Sequence, residues 1–472
     1  MLTAFQIVIS CLVAFFAVKW VYFKVLKVAA NNRIVDVPNS RKLQKRPVPL
    51  LGGIAVFFGL IAGVLAGSSC SFLLTDDPHL SLGPVICAVV IMIYTGALDD
   101  VEGLSPWIRI LIEILTILAL VFASGSCIDS FHGLWGIDSF SWWLAVPLTV
   151  FAGVGIINAI NMIDGVNGLC SGLCIVSSLI FGSMFLKVGE LPNAVLAFSL
   201  AAATVPFIFH NVFGRKSKMF LGDAGTLMVG MIMTWFTISF LRSDSSVMLF
   251  AAQQRLNMIA MTLAILSVPV FDTLRVMAQR MYHGKSPFRP DRTHLHHVFV
   301  RAGVSHSVTT LLEILINLAI VLVWVIFAKL GSGLDVQLYA VVISSVLLVW
   351  GVYFFFRWHE RHHTPFMHKL AKFGIKSHLG HTETWQRLET WLDLPVAEEE
   401  FEGIDAVEQD RKAVYEFMKG KAEVFVNDVK ERCGAGEDSV GKILADGISS
   451  GAVKVVLRDS EGRPEIVTLN EE

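Results

Sequence analysis

Cationic and imidazole side chains are concentrated in SPFRPDRTHLHHVFVRAG, residues 286–303, a segment that lies between two apolar stretches. Its centre contains Arg292, His294, His296 and His297. Guanidinium and imidazole groups suit phosphate chemistry, because they stabilise the negative charge that develops during phosphoryl transfer. A zinc site is a weaker interpretation, since no thiolate accompanies the histidines and the arginines favour anions. The segment therefore predicts binding of a phosphate-bearing ligand.

Carboxylate and amide side chains recur in three other motifs, ALDDVEGLSP (97–106), NAINMIDGVNGL (158–169) and FLGDAGTL (220–227). Taken singly, each motif also has a structural interpretation as a helix cap or a turn. Carboxylates and amides at membrane depth are costly, however, and are usually functional. Their hard oxygen atoms suit Mg²⁺ or Mn²⁺. The candidate residues are Asp99, Asp100, Asn158, Asn161, Asp164, Asn167 and Asp223.

Membrane helices are the elements that must position these motifs. The chain has 472 residues, of which 54% are hydrophobic and 17% charged, and its mean hydropathy is +0.62. This composition excludes an ordinary soluble globule. A span needs about 20 apolar residues in helical form, because lipid offers no partner to an open backbone. The sequence therefore predicts an all-α polytopic membrane protein with about eleven transmembrane helices, at about 2–23, 50–74, 80–98, 106–125, 140–158, 168–187, 191–213, 221–241, 257–277, 308–329 and 336–356.

Basic residues predict the orientation of this bundle, because Lys and Arg accumulate in cytoplasmic loops. They are frequent after the first, seventh and ninth predicted spans, whereas the connecting segments TDDPH and GSCIDSFHGLWGIDSFS contain none. The N-terminus is therefore predicted to be periplasmic and the C-terminus cytoplasmic. All the polar motifs then lie on the cytoplasmic side, where we expect them to converge. The formal net charge of −2 indicates no particular partner, and we expect no nucleic-acid binding.

The composition changes after the last predicted span, so we divide the chain into three parts. Residues 1–356 are the predicted transmembrane domain. Residues 357–395 are basic, aromatic and rich in histidine, which is typical of a segment at the inner membrane surface; a metal site is the less favoured interpretation. Residues 396–472 are predicted to form a small soluble cytoplasmic α+β domain, with a helix over 409–433 and two strands in GAVKVVLRDSEGRPEIVTLN.

The motifs resemble those of a known family. DVPNSRKLQKRPVPLLGG, ALDDVEGLSP, NAINMIDGVNGL, FLGDAGTL and SPFRPDRTHLHH stand in the order found in the polyprenyl-phosphate N-acetylhexosamine-1-phosphate transferases. The last motif is most similar to the bacterial branch that uses N-acetylglucosamine and starts O-antigen and related surface glycans.

The resemblance, which covers residues 1–356, implies a reaction and a location. The substrates would be a UDP-N-acetylhexosamine, first of all UDP-GlcNAc, and undecaprenyl phosphate, with UMP released. The implied cofactor is Mg²⁺, with Mn²⁺ as the alternative, and the implied location is the bacterial inner membrane. The exact sugar is left open, as is the choice between a monomer and a homodimer.

The resemblance also implies roles for individual residues. Asp99 and Asp100 match the catalytic pair, of which one removes the proton from the lipid phosphate; direct displacement and a covalent aspartyl intermediate both stay open. Asp223, with Asn161, matches the metal site. Lys42 and Lys45 match a basic stretch that binds the lipid phosphate. The residues implied in binding the nucleotide sugar are Asn158, Asp164, Asn167, Arg292, His294, His296 and His297.

Two other classes of membrane protein compete with this interpretation. A transporter places its site near the midplane, often between inverted repeats, whereas here the acidic residues collect at one side and we find no repeat. A lipid-binding scaffold would require a lost active site, yet the acidic residues of the family motifs are present. Gly103 replaces a third acidic residue that is frequent in the family, and Asn167 stands where many bacterial members have Asp, so the sugar preference is not predicted.

Overall fold

The computed structural model describes residues 2–36, 47–75, 82–286, 293–362, 364–366, 369–370, 382–396, 409–419, 424–433, 435, 437–450, 453–458 and 464–469. Three residues predicted to contact phosphate groups, Lys42, Lys45 and Arg292, lie outside this set. The described helices up to the last span are α1 (Leu2–Asn31), α2 (Gly52–Thr75), α3 (Gly83–Glu102), α4 (Pro106–Ser124), α5 (Trp142–Met162), α6 (Leu169–Val188), α7 (Leu191–Phe213), α8 (Gly222–Leu241), α9 (Ser246–Gln254), α10 (Met258–Ile265), α11 (Ser267–Tyr282), α12 (Leu295–Arg301), α13 (His306–Lys329), α14 (Leu334–Ser345) and α15 (Val352–Arg361).

The prediction of a polytopic helical membrane protein is confirmed. Among the described residues, 10 helical segments are long and apolar enough to cross a membrane, or up to 11 if one bent helix pair is a single span. The last of these segments, Leu334–Arg361, comprises α14, a π-helical turn (Val346–Gly351) and α15. It extends past the predicted span over 336–356. The helix continues through the polar residues His359, Glu360 and Arg361 after the apolar run ends.

The predicted ninth span, 257–277, is wrong as a single straight helix. It consists of α10 and α11, which are bent by 79° at Leu266. The bend leaves carbonyl groups of α10 without helical partners, and lipid cannot supply any. Asn317 of α13 supplies them: its Nδ2 lies 3.2 Å from the carbonyl oxygen of Ala264 and 3.1 Å from that of Ile265. The amide side chain on a neighbouring helix therefore makes the break tolerable inside the bundle.

Helix α8 lies at the centre of the bundle, and α2, α3 and α5 pack around it. Its most apolar window is 100% buried by protein. Glycines allow the contacts: a methyl group added to Gly53 would lie 2.2 Å from the backbone nitrogen of Gly225. One added to Gly96 would lie 2.3 Å from the carbonyl oxygen of Asp223. The backbones of α2 and α3 therefore touch the first turns of α8, and this close packing determines where Asp223 lies.

Short extended segments connect the helix ends near Asp223. Strands β1 (Val35–Asp36) and β2 (Val48–Pro49) pair antiparallel. Phe220 N donates to the carbonyl oxygen of Pro49 at 2.8 Å, and Gly53 N donates to that of Leu221 at 2.8 Å. The chain that enters α8 is thus hydrogen-bonded to the chain that enters α2. We call this end of the bundle, with residues 99–104, 161–168, 219–223 and 293–297, the mouth.

The C-terminal region adds helices and a small sheet. Its elements are α16 (Glu383–Asp393), a helix over 409–418, β3 (Val424–Phe425), α17 (Val426–Arg432), α18 (Glu437–Ser450), β4 (Val453–Arg458) and β5 (Pro464–Leu469). The sheet is antiparallel with the order β3-β5-β4. The prediction of one helix over 409–433 is wrong, because the β-branched and aromatic run Val424–Phe425 forms strand β3 between two shorter helices.

Candidate active site

Asp100, at the end of α3, caps the N-terminus of α8. Its Oδ1 accepts a hydrogen bond from Asp223 N at 2.9 Å, and its Oδ2 accepts one from Ala224 N at 3.1 Å. The N–H groups of a first helical turn have no partner within the helix, and the positive end of the helix dipole favours a carboxylate there. Gly222 has a φ of 71°, and a methyl group on it would lie 2.5 Å from Asp100 Oδ2. Glycine is therefore needed where α8 meets this carboxylate.

Asp99 is held by the start of α4. Its Oδ1 accepts from Leu104 N at 2.7 Å, and its Oδ2 lies 3.1 Å from Arg109 Nη1. Gly103, with a φ of 72°, ends α3 in the left-handed region and turns the chain back to make these contacts. Sequence reasoning missed Arg109, although a basic residue four positions before Glu113 in an otherwise apolar span was a signal.

Asp223 lies in the first turn of α8 with its carboxylate beside Asn161, at the end of α5. Asn161 Nδ2 donates to Asp223 Oδ1 and, at 2.8 Å, to Thr226 Oγ1. Asn161 therefore uses its amide nitrogen to orient the Asp223 carboxylate. The resemblance implies a metal site at these two residues, and the structure places their side chains in direct contact.

Asn158 lies one helical turn deeper in the bundle than Asn161. It is only 8% exposed. Its Nδ2 donates to Glu113 Oε2 at 2.6 Å and to the carbonyl oxygen of Val154 at 2.9 Å. Glu113 Oε1 in turn lies 3.8 Å from Arg109 Nε. Asn158 thus supports the Asp99–Arg109 contact from below, and the structure does not bring it to the surface of the mouth.

The loop between α5 and α6 carries Asp164 and Asn167. Asp164 is open to solvent in the mouth while protein surrounds it on several sides. This partial desolvation, followed by repulsion from the carboxylates of Asp223 and Asp36, raises the pKa of Asp164 to about 7. The carboxylates of Asp223 and of Asp36, beside the mouth, are therefore near that of Asp164. Asp36, at the end of β1, was not among the predicted residues.

Asn167 is held in place through its backbone. Its carbonyl oxygen accepts a hydrogen bond from Thr310 Oγ1 of α13 at 2.8 Å. The next residue, Gly168, donates its backbone N–H to Asn211 Oδ1 of α7 at 2.6 Å. Two helices thus fix the loop that carries Asp164.

Asp272, within α11, organises the histidine segment. It is 1% exposed, and its Oδ2 lies 2.8 Å from His294 Nδ1. Its Oδ1 accepts from Arg275 Nη2 at 2.6 Å, and both oxygens lie 3.2 Å from the backbone nitrogen of Leu295, where α12 begins. One buried carboxylate therefore orients an imidazole, caps a helix and neutralises a guanidinium. Sequence reasoning missed it.

Arg275 ties the same segment to the last span. Its Nη2 also donates to the carbonyl oxygen of Thr293 at 2.6 Å, and its guanidinium lies 3.5 Å from the ring centroid of Tyr353. A cation over an aromatic face is favourable, the more so when it is buried. The available signal was an Asp and an Arg three residues apart within an apolar stretch.

His296 faces the loop that carries Asp164. It is 1% exposed, and a methyl group added to Gly165 would lie 2.5 Å from His296 Nε2. Burial, and then the neighbouring imidazoles of His297 and His294, lower the pKa of His296 well below its usual range, so it is neutral at pH 7. Its Nδ1 is buried with no hydrogen-bond partner. A buried polar atom without a partner is costly, so Nδ1 is an unsatisfied group on the side of the ring away from the Nε2 atom that faces this loop.

The donor set of the mouth fits a hard divalent cation. Carboxylates of Asp36, Asp164 and Asp223 repel one another there, and a cation would offset that repulsion. Within the described ranges, no three His, Cys, Asp or Glu side chains form a complete metal cage. Mg²⁺ does not need one, because it uses one or two carboxylates together with substrate phosphates and water.

The sequence matches known proteins over a range that includes most of the mouth. Residues 82–241 match the model of glycosyl transferase family 4. An undecaprenyl-phosphate alpha-N-acetylglucosaminyl 1-phosphate transferase of Yersinia pestis is 32% identical over 290 residues, which are 60% of this chain and 73% of the relative. A probable undecaprenyl-phosphate N-acetylglucosaminyl 1-phosphate transferase of Bacillus subtilis is 33% identical over 313 residues, 66% of this chain and 82% of the relative.

We predict that Asp272→Asn destabilises the protein by about 3 kcal/mol or more, because it leaves the buried Arg275 cation uncompensated. Unfolding of the purified protein in detergent measures this. The matched control is Asp244→Asn, whose carboxylate side chain is 79% exposed in its pair with Arg242 and should cost at most about 1 kcal/mol. Adding Arg275→Met to Asp272→Asn should recover part of the loss. Equal costs for the buried and the exposed variants would contradict the role given to Asp272.

Proposed function

This chain belongs to glycosyl transferase family 4 and is a membrane sugar-phosphate transferase, and from that premise we propose that it transfers N-acetylglucosamine-1-phosphate from UDP-GlcNAc to undecaprenyl phosphate and releases UMP. The observation that carries the proposal is the convergence at the mouth of carboxylates from α3, α8 and the loop between α5 and α6 with the imidazole of His296. Phosphoryl transfer depends on positioning and on charge stabilisation more than on covalent chemistry. A fixed set of carboxylates and imidazoles at one end of the bundle suits that need.

The proton step is assigned to the Asp99–Asp100 pair. Each carboxylate is fixed by two hydrogen bonds, and each oxygen has a second lone pair that can accept a proton. One of the two removes the proton from undecaprenyl phosphate, so that a phosphate oxygen attacks the sugar-linked phosphorus and UMP departs. Asp100 also fixes Asp223 through α8, whereas Asp99 is itself oriented by Arg109.

Asp223 is the residue proposed to hold Mg²⁺, with Mn²⁺ as the alternative. When bound, the cation neutralises the charge of the diphosphate in the transition state. Asn161 keeps the Asp223 carboxylate pointed into the mouth. Thr226 Oγ1 anchors the other hydrogen of the same amide, so the carboxylate has one orientation before substrate arrives.

The nucleotide sugar is proposed to lie between the loop that carries Asp164 and helix α12. Neutral His296 lies with Nε2 against Gly165 of that loop, and Asp272 holds the neighbouring His294 in one tautomer. Asn167 shapes the loop through its backbone contact to α13. Arg292 remains proposed for the diphosphate, and Lys42 and Lys45 for the lipid phosphate, on the family motifs alone.

The proposal is tested with purified protein, undecaprenyl phosphate, Mg²⁺ and a panel of UDP-sugars, with UMP release and lipid-linked product as readouts. We expect turnover with UDP-GlcNAc and little or none with UDP-glucose, which lacks the acetamido group. Product formed only from another UDP-N-acetylhexosamine would keep the reaction and change the sugar. No product with any UDP-sugar would refute the proposal.

Asp223→Asn should lower turnover by about a hundredfold or more at low Mg²⁺. The change keeps the shape of the side chain but removes a charge that a hard cation needs, and metal stabilisation is worth several kcal/mol, with each 1.36 kcal/mol equal to about tenfold in rate. Raising Mg²⁺ should restore part of the activity. Asp99→Asn and Asp100→Asn are the matched comparisons: extra Mg²⁺ should not rescue the variant that lacks the base. Normal activity of Asp223→Asn at low Mg²⁺ would rule out its metal role.

The mouth is proposed to face the cytoplasm of a bacterial inner membrane, with the N-terminus in the periplasm. This orientation follows the distribution of basic residues and gives UDP-sugars direct access. Ser105 and Ser139 are exposed; Ser105 directly precedes α4 on the side of the mouth, and Ser139 lies at the other end of the helices, in the segment that joins α4 to α5. In an active variant without native cysteines, Ser139→Cys should react with an impermeant maleimide added to intact cells, and Ser105→Cys only after the inner membrane is opened. The reverse pattern would invert the proposed orientation.

A further inference from the structure

Asp393, the last residue of α16, is bound by the loop between α7 and α8. Backbone nitrogens of three consecutive residues point at its carboxylate: Lys216 N donates to Oδ2 at 2.9 Å, Ser217 N donates to Oδ1 at 2.9 Å, and Arg215 N lies 3.2 Å from Oδ1. The hydroxyl of Ser217 adds a fourth donor at 2.7 Å. Successive N–H groups that converge in this way form an anion-binding nest. Residues 215–217 and the Ser217 hydroxyl are called the nest below.

The nest is part of a buried junction between three elements. Ser217 is 0% exposed, and its carbonyl oxygen accepts a hydrogen bond from Tyr22 of α1 at 2.8 Å. Its Oγ, which donates to Asp393, also lies 3.1 Å from His210 Nδ1 of α7. A methyl group on Gly214 would lie 2.3 Å from that Oγ, so the loop packs this tightly only with glycine there. Every polar atom of Ser217 is thereby used.

From the nest, the chain leads directly to the mouth. Two residues after Ser217, the carbonyl oxygen of Met219 accepts from Asn211 Nδ2 at 2.9 Å. Asn211 Oδ1 accepts from Gly168 N, in the loop that carries Asp164. The next residues, Phe220 and Leu221, are hydrogen-bonded to the entry of α2, and the chain then enters α8 and Asp223. A displacement of the nest would therefore be passed to both polar loops.

Helix α16 is anchored so that Asp393 reaches the nest. Thr382 caps its first turn by accepting from Trp385 N through its hydroxyl. The Trp385 ring lies 4.6 Å from that of Phe213, the last residue of α7. Leu392 is 4% exposed, and Lys19 of α1 lies 6.0 Å from the ring centroid of Trp391. The helix therefore packs against the ends of α1 and α7 along one apolar face.

We infer that residues 215–217 are a carboxylate-binding nest whose built-in ligand is Asp393, and that α16 through this contact positions the segment that carries Asp223. Asp393 is thus a positioning residue of the transferase, although it lies well beyond the end of the last span at Arg361. The inference rests on the proposed function only for its effect on turnover. The contact itself is tested without any substrate.

The first experiment compares full-length Asp393→Ala with Glu383→Ala, which removes a carboxylate from the same helix at a side chain that is 78% exposed. We expect Asp393→Ala to lower turnover about ten- to a hundredfold, because a shift of about 1 Å at a reacting group costs up to about a hundredfold. Trypsin should also cut it faster after Arg215, Lys216 and Lys218, since the loop is no longer clamped. Glu383→Ala should match the wild type in both assays, and Asp393→Glu should lie between.

The second experiment separates positioning from a general loss of stability. Sodium formate supplies a free carboxylate of the size that the Ala substitution removes. At constant ionic strength, formate should slow tryptic cleavage of Asp393→Ala and restore part of its turnover, whereas chloride should do neither. A variant that is merely unstable would not respond to formate.

Three outcomes decide the inference. Wild-type rates of cleavage and turnover in Asp393→Ala would overturn it, and so would a defect that formate and chloride leave equally unchanged. Faster cleavage that formate reverses would establish the nest even if no UDP-sugar is turned over, and in that case the proposed function fails while the contact stands.

Discussion

The mouth depends on the two hydrogen bonds that the first turn of α8 donates to the carboxylate of Asp100. A helix N-terminus buried among other helices has unsatisfied N–H groups and a positive dipole end, and both are satisfied by one carboxylate from α3. The contact requires close approach of the two backbones, which Gly96 and Gly222 permit. Asp99, Asp100 and Asp223 consequently belong to one rigid frame, which is what a reaction governed by positioning requires.

The same requirement for satisfied polar groups shapes the other half of the site. The bend at Leu266 exposes carbonyl groups to which Asn317 donates hydrogen bonds, and it places Asp272 where it can cap α12. Asp272 in turn neutralises Arg275 and orients His294. In a medium of low dielectric, each of these groups would destabilise the folded state if it were buried without a partner. Together they fix the imidazoles against the loop that carries Asp164.

Hydropathy and motif order were enough to predict the straight spans and most of the residues at the mouth. They did not predict the bend at Leu266, because a one-residue break leaves the hydropathy of the stretch unchanged. The family resemblance implies nucleotide-sugar binding for Asn158, whereas in the structure this side chain lies one helical turn deeper than Asn161 and donates to Glu113. Asp272 and Arg109 were missed although each has an oppositely charged residue close by on its own helix, because the contacts that tie them to the site, with His294 and Asp99, join distant parts of the chain.

Spacing within a motif also says nothing about contacts across long stretches of chain. The nest at 215–217 and its ligand Asp393 are separated by 176 to 178 residues, and neither stretch looks unusual alone. A Ser flanked by basic residues is typical of a solvated loop, and an Asp at a helix end is typical of a surface. Only the fold shows that the carboxylate of Asp393, beyond the last span, accepts hydrogen bonds from the loop that leads to the mouth.

Helix α8 has no side that faces lipid, and this has a consequence for how the protein is made. Its mean hydropathy of 1.6 is the lowest among the candidate spans found in the described residues. Contact with lipid therefore stabilises it least, and packing against the other helices matters most for it. The helices packed most closely around it, α2, α3 and α5, are all synthesised earlier. The main packing partners of α8 are therefore already present in the chain when α8 is synthesised. Asp223, in the first turn of α8, is therefore synthesised after the helices that hold it in place.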